Sequence, residues 1–225
     1  MNNNYTHQFV DGSPCQLPNG KVICVGLNYT AHIEEMAGKA SPDPVLFIKP
    51  DTALCALNDP LLIPEGLGSV HFETELAILI GSTLSRCSEA DGLPAIAGVG
   101  VALDLTLRDM QKKLAKAGFP WEKSKGFDRA CPLSAFIKPE QISDLQNIQL
   151  TLEQNGVIKQ NGNTAQMLTP VVSLISHISE FFTLHPGDVI LTGTPEGVGP
   201  LVPGDKLTVS LGDMLSANIE QIRYR

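Results

Sequence analysis

Two glutamates stand two positions apart at the start of an apolar run in the segment HFETELAILIG, residues 71–81. Successive strand residues point to opposite faces, so Glu73 and Glu75 would share one face, about 6–7 Å apart. Two carboxylates at that distance repel by about 2–3 kcal/mol at an effective dielectric constant of about 20, and burial adds a desolvation cost. A divalent cation removes both penalties, and oxygen ligands favour Mg²⁺, Mn²⁺ or Ca²⁺ over zinc. The alternative is a strand edge with solvated acids.

A third acid, Asp104, follows a second apolar run, GVGVAL, and precedes a stretch with helical spacing. A carboxylate at a strand end could complete a metal site with the two glutamates. Alternatively, Asp104 or Thr106 caps the helix that follows, since both residue types suit that position. Arg108 and Gln111 lie three apart on one face of this helix. They could bind a carboxylate, with Arg108 as a two-pronged donor, or simply face solvent.

Six segments of the chain occur together, in one order, in a known enzyme family. They are GLNYTAHIEEM, PVLFIKP, HFETELAILIG, ALDLTLRDMQ, GFPWEKSKGFDRACP and ILTGTPEGVGP. From about Lys21 to the C-terminus the chain therefore resembles the fumarylacetoacetate hydrolase family, in particular its small acylpyruvase and oxaloacetate-acting members. The resemblance implies a mixed β-sandwich roll, usually a homodimer, and a Mg²⁺ or Mn²⁺ ion bound by Glu73, Glu75 and Asp104.

The resemblance also implies roles for residues outside the metal site. His32 and Glu35 match a dyad on a short helix over the substrate, and Lys125 matches a catalytic lysine. Two neighbours leave alternatives, because Lys123 is close to Lys125 and Glu34 is close to Glu35. Without the family, His32 would be interpreted as a surface histidine. The substrate-binding residues implied are Arg108, Gln111 and Thr194.

A 2-keto acid offers two adjacent oxygens to one cation, which stabilises the enolate formed when a neighbouring bond breaks. Glu35 would orient His32 while His32 takes a proton from water, and Lys125 would neutralise the developing oxyanion. The first hypothesis is hydrolysis of the C–C bond of an acylpyruvate. The second is keto–enol tautomerisation or decarboxylation of oxaloacetate, or isomerisation of a hydroxymuconate-type diacid. A relative that binds a keto acid without turnover is the non-enzymatic alternative.

The elements that would position these residues are mostly short strands separated by prolines and glycines. Asn155-Gly156 predicts a two-residue hairpin turn, and the glycines of GTPEGVGP predict a tight turn close to the site. Helices are predicted over residues 106–118, over residues 30–38, and after the pair Thr169-Pro170, which would supply the N-cap and first turn. The predicted strands are KVICVG, VLFIK, ELAILIG, GVGVALDL, IQLTLEQ, VIKQ, DVILTG, KLTVSL and LSANIEQI.

Because strands and helices do not alternate regularly, the fold class predicted is α+β and mostly β, not a doubly wound sheet. One catalytic domain, residues 21–225, is expected after a short N-terminal extension, residues 1–20. The 225-residue chain has a net charge of −8, which argues against nucleic acid as a partner.

No apolar run is long enough to suggest a membrane span, and the N-terminus lacks the pattern of a signal peptide. Five scattered cysteines without a C-x-x-C pair favour reduced thiols. A cytoplasmic location is therefore expected, and the family resemblance implies a small keto acid as the substrate.

Overall fold

The computed structural model describes residues 5–35, 41 and 43–225 of the chain. Its strands are β1 (Val22–Gly26), β2 (Val45–Lys49), β3 (Leu54–Ala56), β4 (Leu61–Ile63), β5 (Val70–Phe72), β6 (Thr74–Ile80), β7 (Ile96–Leu103), β8 (Thr106–Leu107), β9 (Cys131–Leu133), β10 (Gln149–Gln154), β11 (Val157–Asn163), β12 (Val189–Leu191), β13 (Gly199–Leu201), β14 (Leu207–Leu211), β15 (Leu215–Ile219) and β16 (Ile222–Tyr224). Its α-helices are α1 (Thr30–Glu35), α2 (Glu89–Gly92), α3 (Arg108–Lys116) and α4 (Val171–Phe181).

A seven-stranded mixed sheet with the order β2-β1-β12-β6-β7-β9-β3 forms the centre of the molecule. All seven residues of β6 are buried, because the sheet is covered on both faces, and strands of that kind read as continuous apolar runs. A four-stranded sheet, β11-β10-β14-β15, packs on it through contacts of β10 with β6 and of β14 with β7. Two smaller sheets, β13-β5-β8 and β16-β4, complete the roll. The predicted mostly β, α+β fold class is confirmed.

The strands predicted from apolar runs are confirmed, with ends that differ by one or a few residues. LSANIEQI divides into β15 and the start of β16, because the pairing partner changes from β14 to β4. The hairpin at Asn155-Gly156 is also confirmed: it joins β10 to β11, and φ is +54° at Asn155 and +79° at Gly156. Positive φ at both turn residues is the geometry that favours an Asn-Gly pair.

The helices agree with the prediction in position but not in every capping residue. α3 begins at Arg108 after the N-cap residue Leu107, so the interpretation of Asp104 or Thr106 as its cap is wrong. The N-cap of α4 is Pro170, with no side-chain cap, so the expectation that Thr169 takes this position is wrong by one residue. In both cases the first helical N–H donates to a residue far away in the chain, from Arg108 to the carbonyl oxygen of Ser69 at 2.9 Å and from Val171 to Gln146 Oε1 at 3.1 Å. The predicted helix over residues 30–38 is present as α1, and its last three residues lie outside the described part.

The segment of residues 5–20 packs against the central core. His7 is buried there, with its Nε2 atom 3.1 Å from the carbonyl oxygen of Gly187, and Phe9 and Leu17 also contact core residues. The division into an extension and a catalytic domain stays a prediction. No helix in the described residues is long and apolar enough to cross a membrane.

Candidate active site

Three acidic side chains converge because of the register between β6 and β7. The two strands are antiparallel, with Thr74 opposite Leu103, and the backbone N–H of Asp104 donates to the carbonyl oxygen of Glu73 at 2.8 Å. Asp104 therefore lies directly across from Glu73, and Glu75 is two residues along the same face. One oxygen from each carboxylate lies within 4.8 Å of the others, and all three residues are buried.

Three buried cations surround these acids. Lys125 Nζ lies 2.9 Å from Glu73 Oε2 and 2.6 Å from Asp104 Oδ2. Arg108 forms an ion pair with the other oxygen of Glu73. Lys49 Nζ lies 2.7 Å from Asp104 Oδ1, as an ion pair whose angles are not those of a hydrogen bond. Three carboxylates and three cationic side chains thus share one enclosed space.

The acids differ in how well their charge is compensated. Burial alone would raise the pKa of Glu73, but the positive charges of Lys125 and Arg108 hold that pKa well below its usual value. Burial would likewise lower the pKa of Lys125, and the two acids that it contacts raise it above its usual range instead. For Glu75, burial and then the charges of Asp104 and Glu73 all raise the pKa.

An ionised Glu75 would therefore carry a charge that the described side chains do not balance. The backbone N–H of Gly193 donates to Glu75 Oε2 at 2.6 Å, and one hydrogen bond does not offset the field of two neighbouring acids. A cation adjacent to all three carboxylates would stabilise the ionised form. Because every donor is a carboxylate oxygen, the residues present fit Mg²⁺ or Mn²⁺.

Both residues of the predicted dyad lie on α1. His32 Nδ1 lies 3.1 Å from Glu35 Oε2. Glu34 and Glu35 are both exposed, so it is this contact that selects Glu35 over its neighbour. The backbone N–H of Gly197 donates to both oxygens of Glu35, at 3.1 and 3.2 Å. Glu35 is thus fixed between the histidine that it orients and the turn predicted from GTPEGVGP.

The remaining predicted residues also reach this site. Arg108 Nη1 donates to Gln111 Oε1 at 2.6 Å, so the two residues form a linked pair on α3. Thr194 Oγ1 donates to the carbonyl oxygen of Thr74 at 2.9 Å. Lys125 is buried, whereas Lys123 is exposed, and this answers which of the two lysines can reach the acids.

A cavity of about 330 Å³ connects these groups. Its polar side is formed by the acids, cations and His32, and its apolar side includes Phe47 and Trp121, whose ring centroids lie 5.0 Å apart. A larger cleft of about 700 Å³ lies elsewhere, between the N-terminal segment and β15, and none of the predicted site residues lines it. The smaller cavity is therefore the candidate active site. The predicted residues that line it are His32, Glu73, Glu75, Asp104, Arg108, Gln111, Lys125 and Thr194.

Two buried polar residues of the site escaped sequence reasoning. Lys49 ends the apolar strand VLFIK, on the same face as the buried Phe47, so strand alternation could have indicated it. Gln160 is fully buried on β11. Its predicted strand, VIKQ, shows no alternation of buried and exposed positions that would mark Gln160, because a β-bulge at Lys159 interrupts the strand.

The chain is similar to known proteins over most of its length. The family model for the fumarylacetoacetate hydrolase C-terminal domain matches residues 21–224. An oxaloacetate tautomerase of Escherichia coli is 56% identical over 207 residues, which cover 92% of this chain and 94% of the relative. A mitochondrial oxaloacetate tautomerase of Bos taurus is 41% identical over 195 residues, or 87% of this chain and 88% of the relative.

Two solved structures are similar over nearly their full length. A Yersinia pestis protein described as a fumarylacetoacetate hydrolase family member has a TM-score of 0.95 and 52% identity, covering 97% of this chain and 100% of that one. A fumarylpyruvate hydrolase from Pseudomonas aeruginosa, in complex with Mn²⁺ and pyruvate, has a TM-score of 0.89 and 32% identity, covering 97% and 95%.

The charge imbalance at Glu75 predicts that Glu75→Gln stabilises the metal-free protein. In a chelator at pH 7 we expect the melting temperature to rise by a few degrees, since about 1 kcal/mol corresponds to roughly 2–4 °C at this chain length. Addition of Mn²⁺ should then raise the melting temperature of the original protein but hardly that of the variant. The exposed Glu140 provides a control substitution, Glu140→Gln, which should change neither value.

The stabilisation should depend on pH. A carboxyl whose pKa is raised by folding costs stability above its unfolded pKa, about 4.3 for glutamate, because the unfolded state then releases the proton more readily. The advantage of Glu75→Gln is therefore expected to be present at pH 7 and to shrink as the pH falls toward 5. A variant that is less stable than the original in chelator would contradict this account.

Proposed function

The chain belongs to the fumarylacetoacetate hydrolase family, and on that basis we propose that it is a divalent-cation-dependent oxaloacetate keto–enol tautomerase. This reverses the order expected from the sequence, where C–C hydrolysis came first and tautomerisation was the alternative. The reason is that relatives matching nearly the whole chain, at 56% and 41% identity, are oxaloacetate tautomerases. Mg²⁺ and Mn²⁺ remain equal candidates for the cation.

The observation that carries the proposal is the buried carboxylate triad with its three cationic neighbours. Their formal charges cancel, so a bound dication would leave the site with a net charge near +2. A dicarboxylate such as oxaloacetate complements that charge, whereas a neutral carbonyl compound does not. The cavity of about 330 Å³ is at the small end of ligand sites, which suits a four-carbon acid. When bound, the cation would polarise the 2-keto group and stabilise the negative charge of the enolate.

Proton transfer would be the task of His32. Tautomerisation breaks a C–H bond next to the keto group and forms an O–H bond on the keto oxygen, so a single group that exchanges protons at both positions is sufficient. Glu35 engages Nδ1 of His32, which leaves Nε2 as the ring nitrogen for the substrate. A hydrogen-bonded carboxylate that fixes the orientation of a histidine is the usual support for such a base.

The substrate would be oriented by groups on two sides of the cavity. Lys125 would stabilise negative charge on the substrate oxygens from its position between Glu73 and Asp104. Arg108 and Gln111 would bind a carboxylate end, and the Nε atom of Arg108, buried without a partner in the described part of the chain, is a free donor for it.

A second candidate is hydrolysis of an acylpyruvate C–C bond. It is favoured by the similarity to a fumarylpyruvate hydrolase that was solved with Mn²⁺ and pyruvate. The same dyad would deprotonate a water molecule instead of the substrate carbon. Whether a water molecule reaches the distal carbonyl carbon then decides between the two reactions.

The first test loads the purified protein with Mg²⁺ or Mn²⁺ and follows the decay of enol-oxaloacetate. We expect a rate far above the uncatalysed one, abolished by chelator and reduced at least 100-fold by His32→Ala, a typical contribution of a positioned acid–base group. Pyruvate and CO₂ should not accumulate at the same rate, and acetylpyruvate should not release acetate. Rapid acetate release with no effect on enol decay would favour the second candidate.

The contact between Gly197 and Glu35 predicts the effect of a substitution remote from the reacting atoms. Gly197 has a φ of +94°, and an added Cβ would lie 1.9 Å from the carbonyl oxygen of Lys159. Gly197→Ala should therefore displace the turn and withdraw its N–H from Glu35, with a loss in kcat of about 100-fold, the scale expected for a displacement of about 1 Å.

A matched control separates displacement from backbone strain. Gly156 also has a positive φ, +79°, but an added Cβ would meet nothing within 4 Å. Gly156→Ala should lower the melting temperature slightly and leave kcat unchanged. Equal losses of kcat in the two variants would contradict the role given to Gly197.

We also propose that the protein is a homodimer, as the family resemblance implies. β15 ends the four-stranded sheet with one edge open in the described structure, and an open edge is a surface that proteins usually cover. Light scattering coupled to gel filtration should give twice the mass of one chain at micromolar concentration. The mass of a single chain at every concentration would refute the dimer.

A further inference from the structure

Gln160 connects three parts of the candidate active site through one buried amide group. Its Oε1 atom accepts a hydrogen bond from the backbone N–H of Thr74 at 2.9 Å. Its Nε2 atom donates to Thr194 Oγ1 at 2.8 Å and to the carbonyl oxygen of Pro195 at 2.9 Å. The side chain is fully buried, so these three partners use its hydrogen-bonding capacity almost completely.

A β-bulge turns Gln160 toward the site. In the pairing of β10 with β11, Leu152 is opposite Gln160 but Glu153 is opposite Ile158, so Lys159 is an extra residue on β11. Residues 157–159 are all exposed, and the inward–outward alternation resumes only at Gln160. Bulges of this kind often redirect a side chain near an active site.

The partners of Gln160 determine which atoms donate and which accept. A backbone N–H can only donate and a carbonyl oxygen can only accept, so Thr74 and Pro195 fix the orientation of the amide. Thr194 Oγ1 then accepts from Nε2 of Gln160, and it must give its own proton to the carbonyl oxygen of Thr74. The Thr194 hydroxyl therefore keeps one lone pair and no proton for the substrate.

We infer that Gln160 is a positioning residue that makes Thr194 a hydrogen-bond acceptor and holds Thr74 between the metal-ligand candidates Glu73 and Glu75. An acceptor pairs with a protonated substrate oxygen, which the enol form of a keto acid has and the keto form lacks. Gln160 thereby sets the preference of Thr194 for the enol. The inference rests on the proposed function for the identity of the substrate. The effect of Gln160 on Thr74, between the metal-ligand candidates, does not depend on turnover.

The test replaces Gln160 by methionine, which keeps the length of the side chain and removes all three hydrogen bonds. By calorimetric titration with Mn²⁺ alone we expect the dissociation constant to rise about 10-fold or more, as for other residues that orient metal ligands. At saturating Mn²⁺, kcat for enol-oxaloacetate should also fall, because the Thr194 hydroxyl is free to rotate. In a Thr194→Val background, Gln160→Met should change kcat less than twofold.

Gln154 on the same hairpin gives a matched control. Its Nε2 atom also donates to two acceptors, Asp205 Oδ2 at 2.8 Å and the carbonyl oxygen of Pro200 at 2.9 Å. Neither Gln154 nor these two residues line the candidate site. Gln154→Met should lower the melting temperature without changing Mn²⁺ affinity or kcat. If Gln160→Met matches Gln154→Met in both quantities, the inference is overturned.

A second variant covers the case in which Gln160→Met does not fold. When ionised, the carboxylate of Gln160→Glu accepts from the N–H of Thr74 but cannot donate, so the Thr194 hydroxyl would turn to donate to it. The assay of this variant is therefore run at the highest pH at which it stays folded. We expect kcat to fall in this variant, and an unchanged kcat would overturn the inference. Failure of the proposed function is distinguishable, because the original protein would then lack tautomerase activity while the Mn²⁺ titration still tests the role of Gln160.

Discussion

The arrangement of the whole site depends on the burial of three carboxylates on one face of the β6–β7 pair. The antiparallel register places Asp104 opposite Glu73 and Glu75 two residues further along, so the side chains cannot avoid one another. A slip of one residue in this register would move one strand's acids to the opposite face. Such a slip is disfavoured because both strands are buried on both faces, so the displaced acids would enter the apolar core without their cationic partners.

This burial explains why so many cations converge on one small cavity. Lys49 and Lys125 contact Asp104, and Arg108 and Lys125 contact Glu73. An unpaired buried charge is among the most costly features of a folded protein, so each acid needs a partner nearby. Glu75 has no cationic side chain in contact among the described residues, and this residual imbalance is what the proposed cation would relieve. The cost of the triad and its proposed chemistry thus have the same origin.

Sequence reasoning found the features that depend on local pattern. The E-x-E pair, the acid at the end of the next apolar strand, the Asn-Gly hairpin and the mostly β fold class follow from spacing and residue type. It did not find Lys49, the start of α4 at Val171 or the contact of Gly197 with Glu35, because each is decided by the packing of segments far apart in the chain. The choice between hydrolysis and tautomerisation was also beyond it, because both reactions need the same residues.

The β10–β11 hairpin shows how parts outside the cavity shape its chemistry. The hairpin packs closely on the turn after β12: a Cβ on Gly162 would lie 2.4 Å from Pro195, and one on Gly197 would lie 1.9 Å from the carbonyl oxygen of Lys159. The N–H of Gly197 in that turn donates to Glu35, and Gln160 of the hairpin donates to the Thr194 hydroxyl in the same turn. The positions of Glu35 and of the Thr194 hydroxyl therefore depend on the packing of this hairpin and not on α1 alone. The acids, the cations and the dyad suit proton transfer and hydrolysis equally. Proteins that share the triad can therefore favour different reactions through differences in the groups that this hairpin orients.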